Sequence, residues 1–437
     1  MAIDRLLKWL DESSCNFMAV ATMRRELDKA GFTALDPSAD WHLQPGGRYY
    51  VVRNDSAIMA WICGTSPLAE TGARIIAAHS DSPCFKIKPN AEIIGDGGVI
   101  SLNVEKYGGG IMYTWFDRPL SISGRVMTAG PDPLHPCTHL VDLRRAVAVI
   151  PHLAIHFNRG VNEGNPLSVQ KDMKPVVGYY NPEELHYLMR QGGVIRCMVA
   201  EHLGIQPEEI LDYELCLYPC EPAGLCGVDG EYFQSARIDD LSMAFGALEA
   251  LLDTADNPCS ATRIMAIFDN EETGSGTRQG AASPLLRDIL ERIITIETPS
   301  DRQGLYKAIF HSFLISADDA HAWHPNYNEK YDPTNHPVIG GGPVVKINAN
   351  CKYMTDARSA AVFRSLCAKA GVECQVFVNH GDVAGGSTLG NILTSQLDVA
   401  GVDMGNAIWA MHSARETAGV SDQADAVLVF KTFYGDF

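Results

Sequence analysis

Four short apolar segments of this chain each run directly into a group of acidic residues or histidines. The segments are "RIIAAHSDS", "IMAIFDNEE", "FLISADDAH" and "AIWAMHSARE". Apolar runs of this length that stop at polar residues are typical of buried strands. In open α/β sheets, ligand-binding side chains gather beyond the carboxyl ends of the strands, so these polar residues are predicted to meet in one crevice. They are His79, Asp81, Glu271, Glu272, Asp318, Asp319, His321 and His412.

The chemistry of this set is that of a metal centre. Imidazole nitrogens and carboxylate oxygens suit Zn²⁺, Mn²⁺ and Co²⁺. The adjacent carboxylates of Glu271 and Glu272 repel one another, and two metal ions about 3.5–4 Å apart would offset that cost. One glutamate would then bind metal while the other stays free as a general base. Asp239, in "SARIDDLS" at the start of a predicted helix, adds a further carboxylate.

Each element of this pattern also has a simpler structural interpretation. His79 with Asp81 is compatible with a loop histidine and a capping aspartate, and Asp239 or Asp240 with a helix N-cap. The double glutamate could face solvent, and His412 could be a hydrogen-bonded core histidine. The coincidence of all of them at strand ends favours the metal centre.

The order of predicted elements indicates an α/β fold, with a mixed sheet flanked by helices. Two N-terminal helices precede a hairpin that turns at Asn54–Asp55. From about residue 91 the chain becomes glycine-rich and β-like, with a strand in "RAVAVIPHLAIHF" and one helix in "NPEELHYLMRQGGVIRCMVAEHL". Helices and strands then alternate again. The prediction is a discontinuous domain, 1–91 plus 235–437, interrupted by a domain at 92–234.

Composition excludes several classes of partner. A length of 437 residues favours two domains, and a net charge of −18 argues against nucleic acid or an anionic membrane. The N-terminus is interrupted by charges and is expected to form an amphipathic helix rather than a signal peptide, and no apolar run reaches the roughly 20 residues of a membrane span. Twelve cysteines without paired spacing predict reduced thiols and a cytoplasmic location.

Seven motifs together resemble one family, the M18 aspartyl aminopeptidases, in order along nearly the whole chain. They are "AAHSDSPCFKIKP", "YGGGIMYTWFDRPLSISGRV", "PHLAIHFNRGVNEG", "SARIDDLSM", "FDNEETGSGTRQGA", "SADDAHAWHPNY" and "AMHSARE". The resemblance implies a metallo-exopeptidase fold and an enzyme that removes N-terminal residues, typically acidic ones, from peptides.

The resemblance also implies roles for individual residues. His79, Asp239 and Asp318 would hold one metal ion, and Asp239, as the bridge, would hold the second with Glu272 and His412. The ions are expected to be zinc, with manganese or cobalt as alternatives. Glu271 would be the general base that takes a proton from a water activated by the two metals. Asp81 would orient His79.

Substrate binding and assembly follow from the same resemblance. Lys346 in "GPVVKINA" matches a basic residue associated with acidic side chains, and such a side chain needs a partner charge when buried. His321 matches a position that lines the substrate site. The inserted domain would mediate dimerisation, and the dimers would assemble into a dodecamer. In that assembly His156 would reach a neighbouring active site, with a buried strand histidine as the equal alternative. Apart from the resemblance, the substrate's free α-amine needs an acidic site, which Asp319 or the edge of a metal ion would supply.

Two departures from the family pattern bear on this expectation. Many relatives have Asp-Asn where this chain has Asp239–Asp240, so Asp240 places an additional acid near the metals. The segment "HGDVAGGSTLG" lacks a proline-cysteine pair that is common in relatives. Two other functions remain open from sequence: a metal-dependent carboxypeptidase or deacylase, and a self-assembling scaffold or cargo protein with a vestigial site.

Overall fold

The structure is a computed structural model that describes residues 2–436, and it divides into two compact units. The first unit comprises Met1–Asp81, Ala223–Met411 and Glu416–Phe437. The second comprises Ser82–Pro222 and His412–Arg415. The sequence placed the insertion at 92–234. The unit instead begins at Ser82, because the strand Cys84–Ile94 pairs with strands of the second unit.

The first unit is built on a mixed sheet with helices packed against it. In spatial order its strands are Thr33–Ala34, Arg48–Arg53, Ala57–Ile62, Thr262–Phe268, Ala73–His79, Phe313–Ala317, Ala400–Gly405, Val344–Ile347 and Gln375–Val378. The helices of this unit are Ala2–Glu12, Asn16–Lys29, Leu68–Thr71, Ile238–Asp253, Leu285–Glu297, Gly304–His311, Ala357–Ala370, Leu389–Leu393 and Val420–Tyr434. A smaller sheet contains Gly224–Cys226, Tyr232–Ser235, Glu416–Gly419, Ala407–Trp409 and Ala320–His321.

The centre of the large sheet is parallel. Thr262–Phe268 pairs with Ala73–His79, which pairs with Phe313–Ala317, which in turn pairs with Ala400–Gly405. Every residue of Thr262–Phe268 is buried, as expected for a strand covered on both faces. Because these strands run in the same direction, their carboxyl ends lie at one edge of the sheet.

The second unit is an antiparallel sheet with short helices. In spatial order its strands are Cys137–Asp142, Leu120–Thr128, Ile210–Pro219, Cys84–Ile94, Val99–Tyr107 and Val176–Tyr179. Its helices are Val169–Asp172, Pro182–Arg190 and Val194–Leu203. The predicted fold class, an α/β structure with a mixed sheet flanked by helices and a β-rich insertion, is confirmed.

Two local predictions, the N-terminal helix and the hairpin turn, are confirmed. The N-terminal segment forms the helix Ala2–Glu12, which buries Leu6 and Leu10. The hairpin turns at Asn54 and Asp55, whose φ angles of 53° and 57° are those of a tight turn favoured by Asn and Asp. All twelve cysteines are free thiols. Within residues 2–436, no helix combines the length and the apolar character needed to cross a membrane.

Two predictions in the second unit are wrong. The single helix expected around residues 181–203 is two helices, because Gly192 and Gly193 adopt φ angles of 96° and 106° that a helix cannot contain. The strand expected in "RAVAVIPHLAIHF" is reduced to isolated bridges at residues 148–150. His156 follows in an exposed turn, so the alternative of a buried strand histidine is wrong.

Candidate metal centre

Several of the predicted residues lie at the edge of the sheet where the parallel strands have their carboxyl ends. His79 is the last residue of Ala73–His79 and lies opposite Phe268. Glu271 and Glu272 form a single turn of 3₁₀ helix just after the neighbouring strand. Asp318 directly follows Phe313–Ala317. The sheet register therefore brings chemistry-bearing residues from separate parts of the sequence to one edge.

Three of the predicted metal ligands converge. One potential ligand atom from each of His79, Asp239 and Glu272 lies within 4.8 Å of the others. His79 Nε2 and Asp239 Oδ1 are 3.5 Å apart. One imidazole nitrogen and two carboxylate oxygens form a donor set that zinc prefers, so these residues fit a divalent metal ion.

The orientation of His79 is determined by Asp81. Nδ1 of His79 lies 3.0 Å from the backbone carbonyl of Asp81 and 3.3 Å from its carboxylate. A proton on Nδ1 would leave Nε2, on the side of Asp239, as the metal-binding nitrogen. The backbone amide of His79 donates to Asp240 Oδ2 at 3.1 Å. Asp240, whose effect the sequence left open, thus anchors the end of the strand.

Asp81 also holds the two glutamates. Its Oδ1 accepts a hydrogen bond from the backbone N–H of Glu271 at 3.1 Å, and its Oδ2 accepts one from Glu272 at 3.2 Å. One carboxylate therefore connects the histidine strand to the turn that carries both glutamates. The sequence predicted only the contact with His79.

The turn before the glutamates depends on Asn270. Its φ angle of 62° lies in the left-handed region, which Asn tolerates better than most residues. Its side-chain carbonyl accepts hydrogen bonds from Thr277 at 2.8 Å and Gln279 at 2.9 Å. Its backbone carbonyl accepts one from the N–H of Ser275 at 2.8 Å. These contacts determine the direction in which the glutamates project.

The cluster concentrates negative charge out of water. Burial raises the pKa of Glu271 to about 8 and raises the pKa of Glu272 and Asp240 well above the usual range of carboxyl groups. Burial lowers the pKa of His79, but the neighbouring carboxylates, Asp240 first, outweigh it and raise that pKa well above its ordinary value. Buried carboxylates this close cannot all be ionised without a cation, and a bound metal would supply the missing positive charge.

Asp318 is engaged with Lys346. The Nζ atom of Lys346 donates to Asp318 Oδ1 at 3.0 Å, and both side chains are buried. The carboxylate raises the pKa of Lys346 against the opposing effect of burial, so the lysine is charged. Lys346 Nζ also lies 5.8 Å from the ring centroid of Tyr353. Sequence reasoning assigned both residues to the site but did not predict this ion pair.

The expected role of Asp319 as a receptor for the substrate amine is wrong. Asp319 is 1% exposed. Its Oδ2 accepts from Ser242 Oγ at 2.7 Å and its Oδ1 from the backbone N–H of Asn406 at 3.1 Å. Both carboxylate oxygens are therefore used within the fold, where they fix the helix that begins near Asp239.

Glu416 is a site residue that sequence reasoning missed. It is 1% exposed, and its Oε2 accepts from the backbone N–H of Asp239 at 3.1 Å. It belongs to the motif "AMHSARE", in which only His412 had been assigned a role. An acid four residues after a predicted metal-binding histidine was the available signal.

The remaining predicted residues are not among the three that converge. His321 is exposed in the short strand Ala320–His321, and its ring packs edge-on against Phe377 with centroids 5.7 Å apart. His412 lies three residues beyond the strand Ala407–Trp409, in the His412–Arg415 segment of the second unit. There its backbone carbonyl accepts from the N–H of Ile111 at 2.9 Å. His156 also belongs to the second unit.

Comparison with known proteins shows relatives that match almost the whole chain. A family model described as "Aminopeptidase I zinc metalloprotease (M18)" matches residues 9–434. The probable M18 family aminopeptidase 2 of Clostridium novyi (strain NT) is 43% identical over 433 residues, which cover 99% of this chain and 98% of the relative. The protein of the same name from Pseudomonas aeruginosa (strain UCBPP-PA14) is 41% identical over 434 residues, or 98% and 97% of the two chains.

Solved structures show the same fold. A chain of the cryo-EM structure of the Ape4 and Nbr1 complex is 34% identical with a TM-score of 0.94, over 98% of this chain and 84% of that one. A chain of the S. cerevisiae mApe1 dodecamer is 26% identical with a TM-score of 0.85, over 99% and 95%. The chain belongs to the M18 family of zinc metallo-aminopeptidases.

Proposed function

We propose that this aminopeptidase releases acidic N-terminal residues from peptides at a centre that holds two divalent metal ions. The observation that carries the proposal is the convergence of His79, Asp239 and Glu272, with Asp81 holding the backbone of both glutamates. In this proposal Glu272, a member of the cluster, binds metal, and Glu271 acts as the base.

The proposed ligands divide between the two ions. His79, Asp239 and Asp318 would hold one, and Asp239 with Glu272 and His412 would hold the other. The family description favours zinc, and manganese or cobalt accept the same ligands. When bound, such ions polarise a substrate carbonyl and make a water molecule acidic near neutral pH.

Glu271 moves the proton in this proposal. Burial raises the pKa of its carboxyl to about 8 in the absence of a cation, and an added positive charge would bring that pKa down. The carboxylate takes a proton from the attacking water and returns it to the nitrogen of the leaving amine. Asp81 contributes by positioning, because it holds the backbone N–H of Glu271.

Recognition of an acidic side chain is assigned to Lys346. It is a buried cation at the same sheet edge as the cluster, and a buried Asp or Glu side chain of a substrate requires such a partner. The ion pair with Asp318 holds the ammonium group in place. His321, exposed on the short strand Ala320–His321 of the smaller sheet, would line the substrate site.

The wider proposal concerns assembly and location. The second unit, expected from sequence to mediate dimerisation, would build a dodecamer like that named for S. cerevisiae mApe1, and the exposed His156 would reach the active site of a neighbouring subunit. Twelve free thiols support a reducing, cytoplasmic environment. The enzyme's partners would be peptides with a free N-terminus.

Removal of metal is expected to destabilise the protein. A cation offsets the repulsion among the buried carboxylates, and a ligand at about 1,000 times its Kd contributes on the order of 4 kcal/mol to the free energy of unfolding. Calorimetry should therefore show a lower Tm after dialysis against EDTA and recovery of the Tm when zinc is added.

Two matched variants test the ligand assignment. Glu272→Gln should lose most of the zinc-dependent gain in Tm. Glu291→Gln, which changes an exposed residue on the helix Leu285–Glu297, should keep that gain. Equal gains in both variants would contradict the ligand assignment.

Substitution of Glu271 by Gln is expected to lower kcat by about 10²–10⁴-fold, because the amide cannot accept the proton. Metal content, measured by inductively coupled plasma mass spectrometry, should remain that of the unaltered protein, since Glu271 is not a proposed ligand. Full activity of Glu271→Gln would refute the role of the base.

Acidic specificity is tested with Asp-, Glu-, Leu- and Ala-p-nitroanilides on the zinc-loaded enzyme. The ratio of kcat/KM for Asp over Leu should exceed one and fall at least about tenfold in Lys346→Met, the loss expected for one buried charge-assisted hydrogen bond. The ratio separates a change in specificity from the general loss of activity on all substrates that follows when Asp318 loses its partner. Equal turnover of Leu and Asp, with no effect of the variant on the ratio, would retain the aminopeptidase and reject the acidic preference.

A further inference from the structure

A cavity lies at the opposite end of the parallel strands from the candidate metal centre. It has a volume of about 750 Å³ and is lined by Ala73 and Phe313, the first residues of the strands that end at His79 and just before Asp318. Six residue steps along a strand, at about 3.3 Å each, separate the two ends by roughly 20 Å. The cavity is therefore distinct from the proposed active site.

Much of the cavity wall is apolar. Phe313, Leu366 and Phe433 contribute large side chains, and Ala361 and Val362 lie on the helix Ala357–Ala370 at its edge. A volume of 300–1,000 Å³ with a mostly apolar lining and a few polar groups is typical of small-molecule sites. The apolar part of a small ligand, of moderate length, would pack against these side chains.

The charged side chains that line this cavity are cationic. Arg74, Arg358 and Lys369 line it, together with His311, and among the described lining residues none is an aspartate or glutamate. That bias stands out in a chain of net charge −18. A cluster of cations beside apolar surface favours a ligand that carries an anionic group.

The cations differ in how far they are already engaged. Arg74 forms an ion pair of 3.6 Å with Asp436, and Lys369 donates to the backbone carbonyl of Asp436 at 3.5 Å. Arg358, by contrast, is exposed, and the carboxylate that its charge influences is that of Asp356, the residue before the helix Ala357–Ala370. Its guanidinium group has the fork of donors that matches a carboxylate.

From these observations we propose that the cavity binds a small amphipathic carboxylate, an unbranched acyl chain or similar apolar body that ends in one carboxylate. The apolar part would lie against Phe313, Leu366 and Phe433, and the carboxylate would pair with Arg358. Binding here does not depend on the proposed substrate specificity of the metal centre.

Isothermal titration calorimetry of the assembled, zinc-loaded protein with decanoate tests the proposal. Decanoate should bind saturably at one site per chain. Decanol, which has an alkyl chain of the same length but no charge, should bind at least fivefold more weakly. Acetate, which has the carboxylate but no long alkyl chain, should show no saturable binding at the same concentrations.

The variants are chosen on one helix. Arg358→Gln should weaken decanoate binding by about two- to fivefold, the range of an exposed ion pair, and Ala361→Glu should abolish saturable binding by placing a carboxylate at the edge of the cavity. Arg364→Gln removes an exposed cation from the same helix but outside the cavity and should bind as the unaltered protein does. An absence of saturable decanoate binding, equal affinity for decanol, or equal effects of Arg358→Gln and Arg364→Gln would overturn the proposal.

Discussion

The candidate centre depends on the contacts that the carboxylate of Asp81 makes. It accepts the backbone N–H groups of both Glu271 and Glu272 and lies beside Nδ1 of His79. A single side chain thereby fixes an imidazole from one strand relative to two carboxylates that follow the next strand. Hydrogen bonds to a carboxylate are stronger than those between neutral groups, so this contact can hold a turn that carries repelling charges.

The fold makes that contact possible. Phe268 lies opposite His79 in the parallel register, so the loops after the two strands emerge side by side. On the other side of the cluster, Glu416 accepts the N–H of Asp239, and Asp319 binds Ser242 in the helix that follows. Glu416, which is not a proposed ligand, thus supports the backbone of Asp239, which is one, and Asp319 holds the helix that carries it. This division explains why the site contains more carboxylates than two metal ions need.

Sequence reasoning predicted the parts of this arrangement that follow from periodicity and strand ends. The buried strands, the hairpin at Asn54–Asp55 and the gathering of His79 and Glu272 at one edge all depend on local patterns. The double role of Asp81 and the contact from Glu416 could not be predicted in this way, because they depend on which strands are neighbours. The error at Asp319 has the same cause: an acid after a strand can face the crevice or the helix behind it, and the sequence does not distinguish the two.

The second unit shows the same limit. Gly192 and Gly193 divide a segment whose apolar spacing would continue as one helix, since their positive φ angles override the pattern. His412 was predicted from the strand "AIWAM", but the strand ends at Trp409, and the histidine belongs to a short segment of the second unit. A ligand carried on a loop between elements has no periodic signal.

The central claim is that the buried carboxylates exist to hold metal ions, and anomalous diffraction at the zinc absorption edge tests it most directly. Crystals of the zinc-loaded protein should show two anomalous peaks per chain, about 3.5–4 Å apart. Asp239 should lie between them, with His79 beside one and Glu272 beside the other. A single peak would reject the dinuclear centre, and peaks only at other positions would show that the cluster of His79, Asp239 and Glu272 is not the metal site.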